Sequence, residues 1–367
     1  AFTTEIMVKI CLQSTFVTSA VTRISCFVLA FVMCLIFVKL RSNFLLVQRL
    51  NFNFYLFEYN RVNISRSALT SNGSSLDDLD MVVSGMPGDF IMYAFGNADH
   101  LPFILHWLCN TAHMPDVHRR TLLAVTTTEM QNSIRNHALD VKVFVVQERA
   151  VSHGFYSLGY RKLTILRVHY LIRILKNRNV LMFETDCVWT RSVIPVISES
   201  MMHCDLLLYR DGEPALEPAV GAGFMYIKSS SPGSRMWEEV YARMIREISQ
   251  YTTQRDTVTI GPHQVLHEQE VFHEFLKRDK TVKFVNLDRC LFASGLWYNK
   301  NSKYFESCRG KLPVILNNNF LVGTQPKVNR ARQWGHWFLE DDMITCKPWN
   351  KTLTGVLATF RDAGRRP

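Results

Sequence analysis

The chain has 367 residues, of which 47% are hydrophobic and 12% aromatic, so it can bury a sizeable core in one large domain or two small ones and is not a largely disordered protein. Its formal net charge of +10 is scattered rather than gathered into basic blocks, and there is no zinc-finger spacing or interleaved basic and aromatic stripe of a nucleic-acid binder. Small anions, acidic glycans or a phospholipid surface are the partners that such a charge favours.

Between Ile10 and Val38 the only charged residue is Arg23, and residues 24–38 form an apolar run that ends at Lys39 and Arg41. The run predicts a membrane anchor. At about 1.5 Å per residue it is shorter than a hydrocarbon core of about 30 Å, a gap that snorkelling by Arg23 and Lys39 and a thin early-secretory bilayer would close. A cleaved signal peptide fits less well, because Lys39-Leu40-Arg41-Ser42-Asn43 offers no small-x-small site. Lys9 and Arg23 precede the run while Lys39, Arg41 and Arg49 follow it, so charge alone does not orient it. Residues 1–23 are expected as a short cytoplasmic segment, 24–40 as the transmembrane helix, and 41–87 as a lumenal stem whose second half is rich in Ser and Asn.

Asn63, Asn72 and Asn350 each head a glycosylation sequon. Cys11, Cys26 and Cys34 lie in or beside the apolar run, which leaves Cys109, Cys187, Cys204, Cys290, Cys308 and Cys346 as an even set that an oxidising lumen could pair, with no readable connectivity. Cys187 reads as a small buried hydrophobe.

From Gly88 the pattern alternates. Residues 90–95, 121–125 and 141–146 read as strands, and 101–109 and 130–138 as helices, the rhythm of a βαβ sheet. Apolar residues at helical spacing follow over 163–175, and Asn177-Arg178-Asn179 turns the chain into a strand over 180–183. That strand runs directly into Glu184-Thr185-Asp186. Two carboxylates one residue apart at a strand end are hard oxygen donors suited to Mg²⁺ or Mn²⁺ on a nucleotide diphosphate, and a doubly wound sheet opens its ligand crevice at that edge. Gly221-Ala222-Gly223 is no dinucleotide fingerprint, since the third glycine and the following helix are missing.

Further along come Gly221-Ala222-Gly223-Phe224-Met225-Tyr226-Ile227, His267-Glu268-Gln269-Glu270, Asn317-Asn318-Asn319-Phe320-Leu321-Val322-Gly323 with Lys327, and Trp334-Gly335-His336-Trp337. In this order, after the acidic pair, they resemble the nucleotide-diphospho-sugar transferase domain and look like glycosyltransferase family 77, over residues 90–337. The resemblance implies a GT-A-like, Rossmann-type mixed α/β sheet flanked by helices over 88–340, followed by a C-terminal tail at 341–367. It also implies a single-pass type II Golgi enzyme with a lumenal catalytic domain, which transfers a sugar from a nucleotide-diphosphate donor, UDP-linked in the first instance, to a glycan or glycoprotein acceptor with retention.

On that resemblance Glu184, Asp186 and Asn317 would hold Mn²⁺ or Mg²⁺; Glu184 stands where the family usually has Asp, and Asn317 where it usually has His. Arg167, Glu184, Gly223, Gly323 and Lys327 would bind the donor. Asp186, Glu268 and Gln269 are the expected catalytic residues, with Glu268 and Gln269 entering the crevice beside the acceptor. Phe292-Ala293-Ser294-Gly295 resembles a family turn that packs rather than reacts. The departures at Glu184 and Asn317 keep open a member that binds nucleotide or glycan without transfer, and a membrane-tethered interaction protein that uses only the fold.

Overall fold

The computed structural model describes residues 76–146, 154, 156–212, 219–251, 254–261 and 265–364. The chain divides into two units, Ala1–Ser65 and Arg66–Pro367, and every described residue belongs to the second. The anchor expected at 24–40, the segment before it, most of the expected stem, and Asn63 and Asn72 lie outside the described residues. Among the described residues no helix is long and apolar enough to cross a membrane.

The alternating half of the sequence folds largely as its periodicity dictates. Helix α1 (Leu76–Ser84) leads into strand β1 (Phe90–Gly96), helices α2 (Leu101–Thr111) and α3 (Pro115–Arg119), strand β2 (Thr121–Val125), helix α4 (Thr128–His137), strand β3 (Lys142–Val145), helix α5 (Leu158–Leu175) and strand β4 (Asn179–Phe183). The helix starts are chemically marked: Thr127 and Ser157 accept the backbone N–H of Met130 and Tyr160 at 3.3 and 3.0 Å. β1, β2, β3 and β4 pair in parallel; β1, β2 and β4 are near-continuous apolar runs buried on both faces, while the edge strand β3 begins with exposed Lys142.

After β4 come β5 (Cys187–Trp189), α6 (Ile194–Ser200), β6 (Leu206–Asp211), β7 (Ala219–Ile227), α7 (Pro232–Ile248), α8 (Glu268–Arg278), β8 (Phe284–Asn286), β9 (Phe292–Ala293), α9 (Lys303–Cys308), β10 (Ile315–Asn317), α10 (Thr324–Gln333) and α11 (Trp349–Gly364). β7 runs antiparallel to both β4 and β6, so among the described residues the main sheet is mixed, in the order β3-β2-β1-β4-β7-β6-β8. The acidic pair therefore follows the central strand, at the point where pairing changes from parallel to antiparallel. A second sheet, β5-β10-β9, sets Asn317 opposite Cys187, one residue beyond Asp186.

Under this edge lies an aromatic cluster. Trp107 packs on Phe183 and Trp189 at centroid distances of 4.9 and 5.7 Å, and burial of each such ring contributes on the order of 2 kcal/mol. On the other face α7 buries Met236, Trp237, Val240, Tyr241 and Met244, and Trp237 stacks on Phe272 of α8 at 4.9 Å.

Three expectations change at the margins. Residues read as the end of the stem form α1, whose Leu79 and Val83 are buried and whose Asp80 is held by Arg173, so the folded unit begins before Gly88. Residues read as a tail are integral: Val356 and Phe360 of α11 lie in the main core, and Phe360 meets Trp297 at 4.7 Å. The six cysteines pair only in part, as Cys109–Cys346 and Cys290–Cys308, while Cys187 and Cys204 are buried thiols. Cys187 lies 3.0 Å from the Trp189 indole N–H, a packing role as expected.

Candidate active site

The two acidic residues leave β4 with different surroundings. Glu184 donates its backbone N–H to Gly223 O at 2.9 Å, which fastens the strand end to β7, and its side chain is 36% exposed. Asp186 is only 7% exposed; its carbonyl accepts the Asn318 N–H at 3.1 Å. The Lys327 ammonium lies 2.5 Å from Asp186 Oδ2, while Asp186 Oδ1 is buried without a hydrogen-bond partner. Asn317 Oδ1 is a second buried acceptor with none. Orphaned acceptors of this kind cost roughly 1–3 kcal/mol each unless a ligand or ion meets them.

Gly223 explains how the donors converge. A Cβ at this position would stand 2.6 Å from Glu184 Oε2 and 2.8 Å from Asn317 Nδ2, so the missing side chain is the space those two groups occupy. Sequence reading expected Gly223 to admit the donor; the structure uses it first to admit protein side chains.

Lys327 sits on α10, which starts at Gly323 with φ +88°, a left-handed conformation suited to glycine. Gly323 is exposed and stands at the N-cap of the helix that carries Lys327. Arg330, one turn beyond Lys327, donates to Asn318 Oδ1 at 2.7 Å and to Asn319 O at 2.5 Å and covers the Tyr298 ring at 4.5 Å. Asn319 Oδ1 in turn accepts the Gly295 N–H at 2.6 Å, a packing role for that turn as expected. Burial works against the Lys327 charge, but the carboxylates of Asp186 and Glu184 outweigh it and raise its pKa.

The other flank is built on Arg167 of α5. Its guanidinium contacts Glu268 Oε1 and stands 3.4 Å from Glu184 Oε1, and Tyr93 donates its hydroxyl to Arg167 O at 3.0 Å from below. Glu268 was expected to enter the crevice; instead it is 0% exposed, its second oxygen 2.9 Å from His267 Nδ1. Burial, with help from Arg167 and Arg161, keeps the His267 imidazole neutral. The next residue, Gln269, is half-buried, and its Oε1 accepts the Ala222 N–H at 3.0 Å.

Sequence reading thus finds Asp186, Glu184, Asn317, Lys327, Arg167, Glu268, Gln269 and Gly223 within one connected set. It missed Asn318, Arg330, His267 and His100. Arg330 had a signal, since it stands at i+3 from Lys327 on a helix and so shares its face. His100 had none: it follows β1 in sequence, hydrogen-bonds Asn97 Oδ1 at 2.5 Å, and burial lowers its pKa to about 4 although the Asp186 carboxylate opposes this. Asn350 is exposed in the first turn of α11, where a sequon can be reached.

Residues 116–331 match the family described as nucleotide-diphospho-sugar transferase. Among curated proteins the chain is 24% identical over 260 residues to UDP-D-xylose:L-fucose alpha-1,3-D-xylosyltransferase 3 of Arabidopsis thaliana, a match that covers 66% of this chain and 65% of that protein. It is 26% identical over 204 residues to beta-arabinofuranosyltransferase RAY1 of the same plant, covering 52% of this chain and 37% of that protein. The match thus spans about two thirds of the first relative and little more than a third of the second. Among solved structures, the glycosyltransferase GlyE of Streptococcus pneumoniae TIGR4 aligns with a TM-score of 0.42 at 14% identity, over 74% of this chain and 64% of that one. The family match takes in more than half of the sequence, from before β2 through Lys327 and Arg330, and the chain belongs to the nucleotide-diphospho-sugar transferase family.

Proposed function

We propose that this chain transfers a sugar from a nucleotide-diphosphate donor, UDP-linked in the first instance, to a glycan or glycoprotein acceptor. The observation that carries the reading is Asp186: a buried carboxylate at the mouth of the central strand, with one oxygen free of partners and a lysine on the other. Breaking the bond between an anomeric carbon and a diphosphate builds negative charge on the leaving phosphate, and fixed cations beside it lower the barrier. Lys327 supplies such a charge from α10.

Glu184, Asp186 and Asn317 fit Mn²⁺ or Mg²⁺: they offer carboxylate and amide oxygens, two of those oxygens are buried without partners, and Gly223 leaves room for the Glu184 and Asn317 side chains to meet. Among the described residues no group of three His, Cys, Asp or Glu side chains adds to this set, so Asn317 is its neutral member. When bound, such a cation neutralises diphosphate charge as a Lewis acid.

Around the sugar the chain's own residues bind and orient. Arg167 stands between Glu184 and Glu268 and presents guanidinium N–H groups to sugar hydroxyls, Glu268 positions Arg167, and Gln269 donates from its amide NH₂. The Gln269 oxygen, held by the Ala222 N–H, keeps one lone pair to turn toward the sugar. Retention, a type II anchor at 24–40, a Golgi location and glycosylation at Asn63, Asn72 and Asn350 complete the reading, supported by the sequence features and the family resemblance.

The test is calorimetric titration of the 367-residue chain with UDP, with and without Mn²⁺, beside Asp186→Ala. Mn²⁺-strengthened binding in the parent and its loss in the variant support a donor site; transfer from a panel of UDP-sugars then separates an active enzyme from a member that only binds. A folded chain with no UDP affinity in either condition refutes the reading and leaves the interaction protein.

A further inference from the structure

The two oxygens of Asp186 have unequal roles. Oδ1 is buried and unpartnered, while Oδ2 is held by the Lys327 ammonium at 2.5 Å. An ammonium on Oδ2 weakens Asp186 as a cation ligand, because it neutralises the carboxylate charge and repels a divalent ion at Oδ1 of the same group. Lys327 therefore competes with any cation for the buried carboxylate of the set.

Its backbone and its head group differ in freedom. The Lys327 carbonyl accepts from Asn318 Nδ2 at 2.9 Å, and Arg330 on the same helix is fixed to Asn318 and Asn319, so the helix is clamped to the strand that carries Asn317. The side chain is 22% exposed and ends in a compact charge on a flexible stem, which can exchange one anion for another without moving the helix. Glu184 is no substitute seat for the ammonium, since Arg167 already stands 3.4 Å from it.

We propose that Lys327 holds Asp186 closed to divalent cations until a nucleotide diphosphate draws its ammonium away, so that cation and nucleotide bind cooperatively. The proposal rests on the donor-site reading above. An incoming diphosphate gives the ammonium a new anion, the departure of the ammonium frees Asp186 Oδ2, and Glu184, Asp186 and Asn317 then present their full set of oxygens. By linkage the cation strengthens nucleotide binding by the same factor.

Mn²⁺ binding to the full chain, followed by electron paramagnetic resonance with and without UDP, tests this in the parent, Lys327→Gln and Lys327→Arg. In the parent UDP is expected to tighten Mn²⁺ binding by about 5- to 150-fold. Lys327→Gln is expected to bind Mn²⁺ alone about tenfold more tightly than the parent and to lose most of the coupling, while Lys327→Arg keeps the exclusion. Because the Gln variant gains affinity, misfolding cannot imitate the result. Equal Mn²⁺ affinity in parent and Lys327→Gln without UDP overturns the proposal. UDP binding that never brings Mn²⁺ with it overturns the proposal and leaves the donor reading standing; no UDP binding in any protein removes both.

Discussion

The two flanks of the crevice are built on opposite principles. On the Asp186 flank, buried acceptors stand without partners and the one strong ion pair ends in a flexible lysine. On the Glu268 flank the carboxylate is sealed from solvent and its oxygens, though outside hydrogen-bond geometry, face the Arg167 guanidinium and the His267 imidazole, with a glutamine tied to the β7 backbone behind them. A group that must exchange partners is costly to leave unpaired, and one that must aim another group is best left no choice. The first flank is arranged to receive, the second to hold.

The largest contrast is expected from Glu268→Gln, which leaves Arg167 without its buried counter-charge. Chemical denaturation should show a loss of about 3–5 kcal/mol, and an unchanged midpoint would mean that this flank is not the rigid one. Asp186→Asn should do the reverse, keeping the midpoint close to the parent while kcat/KM falls by about 10³, roughly 4 kcal/mol of transition-state stabilisation. Next comes Gly223→Ala. Its new methyl meets the movable ends of Glu184 and Asn317, so stability should drop by less than about 1.5 kcal/mol while Mn²⁺-dependent UDP affinity falls about tenfold; unaltered affinity would show that those side chains do not form the cation seat.

The smallest difference between the flanks is expected from pH, because the titrating groups lie beneath both. Burial lowers the imidazoles of His106 and His336 to about 3 and of His118 to about 4, against about 6.5 in an unfolded chain. Below pH about 6.5 the unfolded chain takes up protons that the folded one refuses, so stability should fall from there toward pH 4 and stay level above 7. His106 Nδ1 accepts the Phe338 N–H at 3.1 Å, as a neutral ring must. Melting temperatures of the parent and Asp186→Asn should decline in parallel across this range; a parallel loss absent from both would contradict the neutral assignment.

Much of this was legible because it was periodic. β1, β2 and β4 are short continuous apolar runs and the helices between them show apolar spacing near 3.6, so Glu184 and Asp186 could be placed at a strand end from that pattern alone. What stayed hidden was assembled from short or distant pieces. β5, β9 and β10 are too brief to show a period, yet they bring Asn317 beside Asp186. Glu268 looked like a helix-start carboxylate facing the crevice; only the approach of α8 to Arg167 turns it inward, and no local spacing encodes that contact. Residues 341–367 read as a tail because the family resemblance ends at Trp337, yet Val356 and Phe360 of α11 lie in the main core.

That last helix has a consequence for how the molecule is made. α11 inserts Val356 and Phe360 among rings contributed by Trp297 and by segments far earlier in the chain, and Cys346 beside it is bonded to Cys109 across 237 residues. Phe360 also faces the His336 ring at 5.3 Å, so this part of the core closes only when the last helix is in place. A chain cut before Val356 would leave Trp297 and His336 without the ring that covers them, and surface exposed in that way favours aggregation over folding.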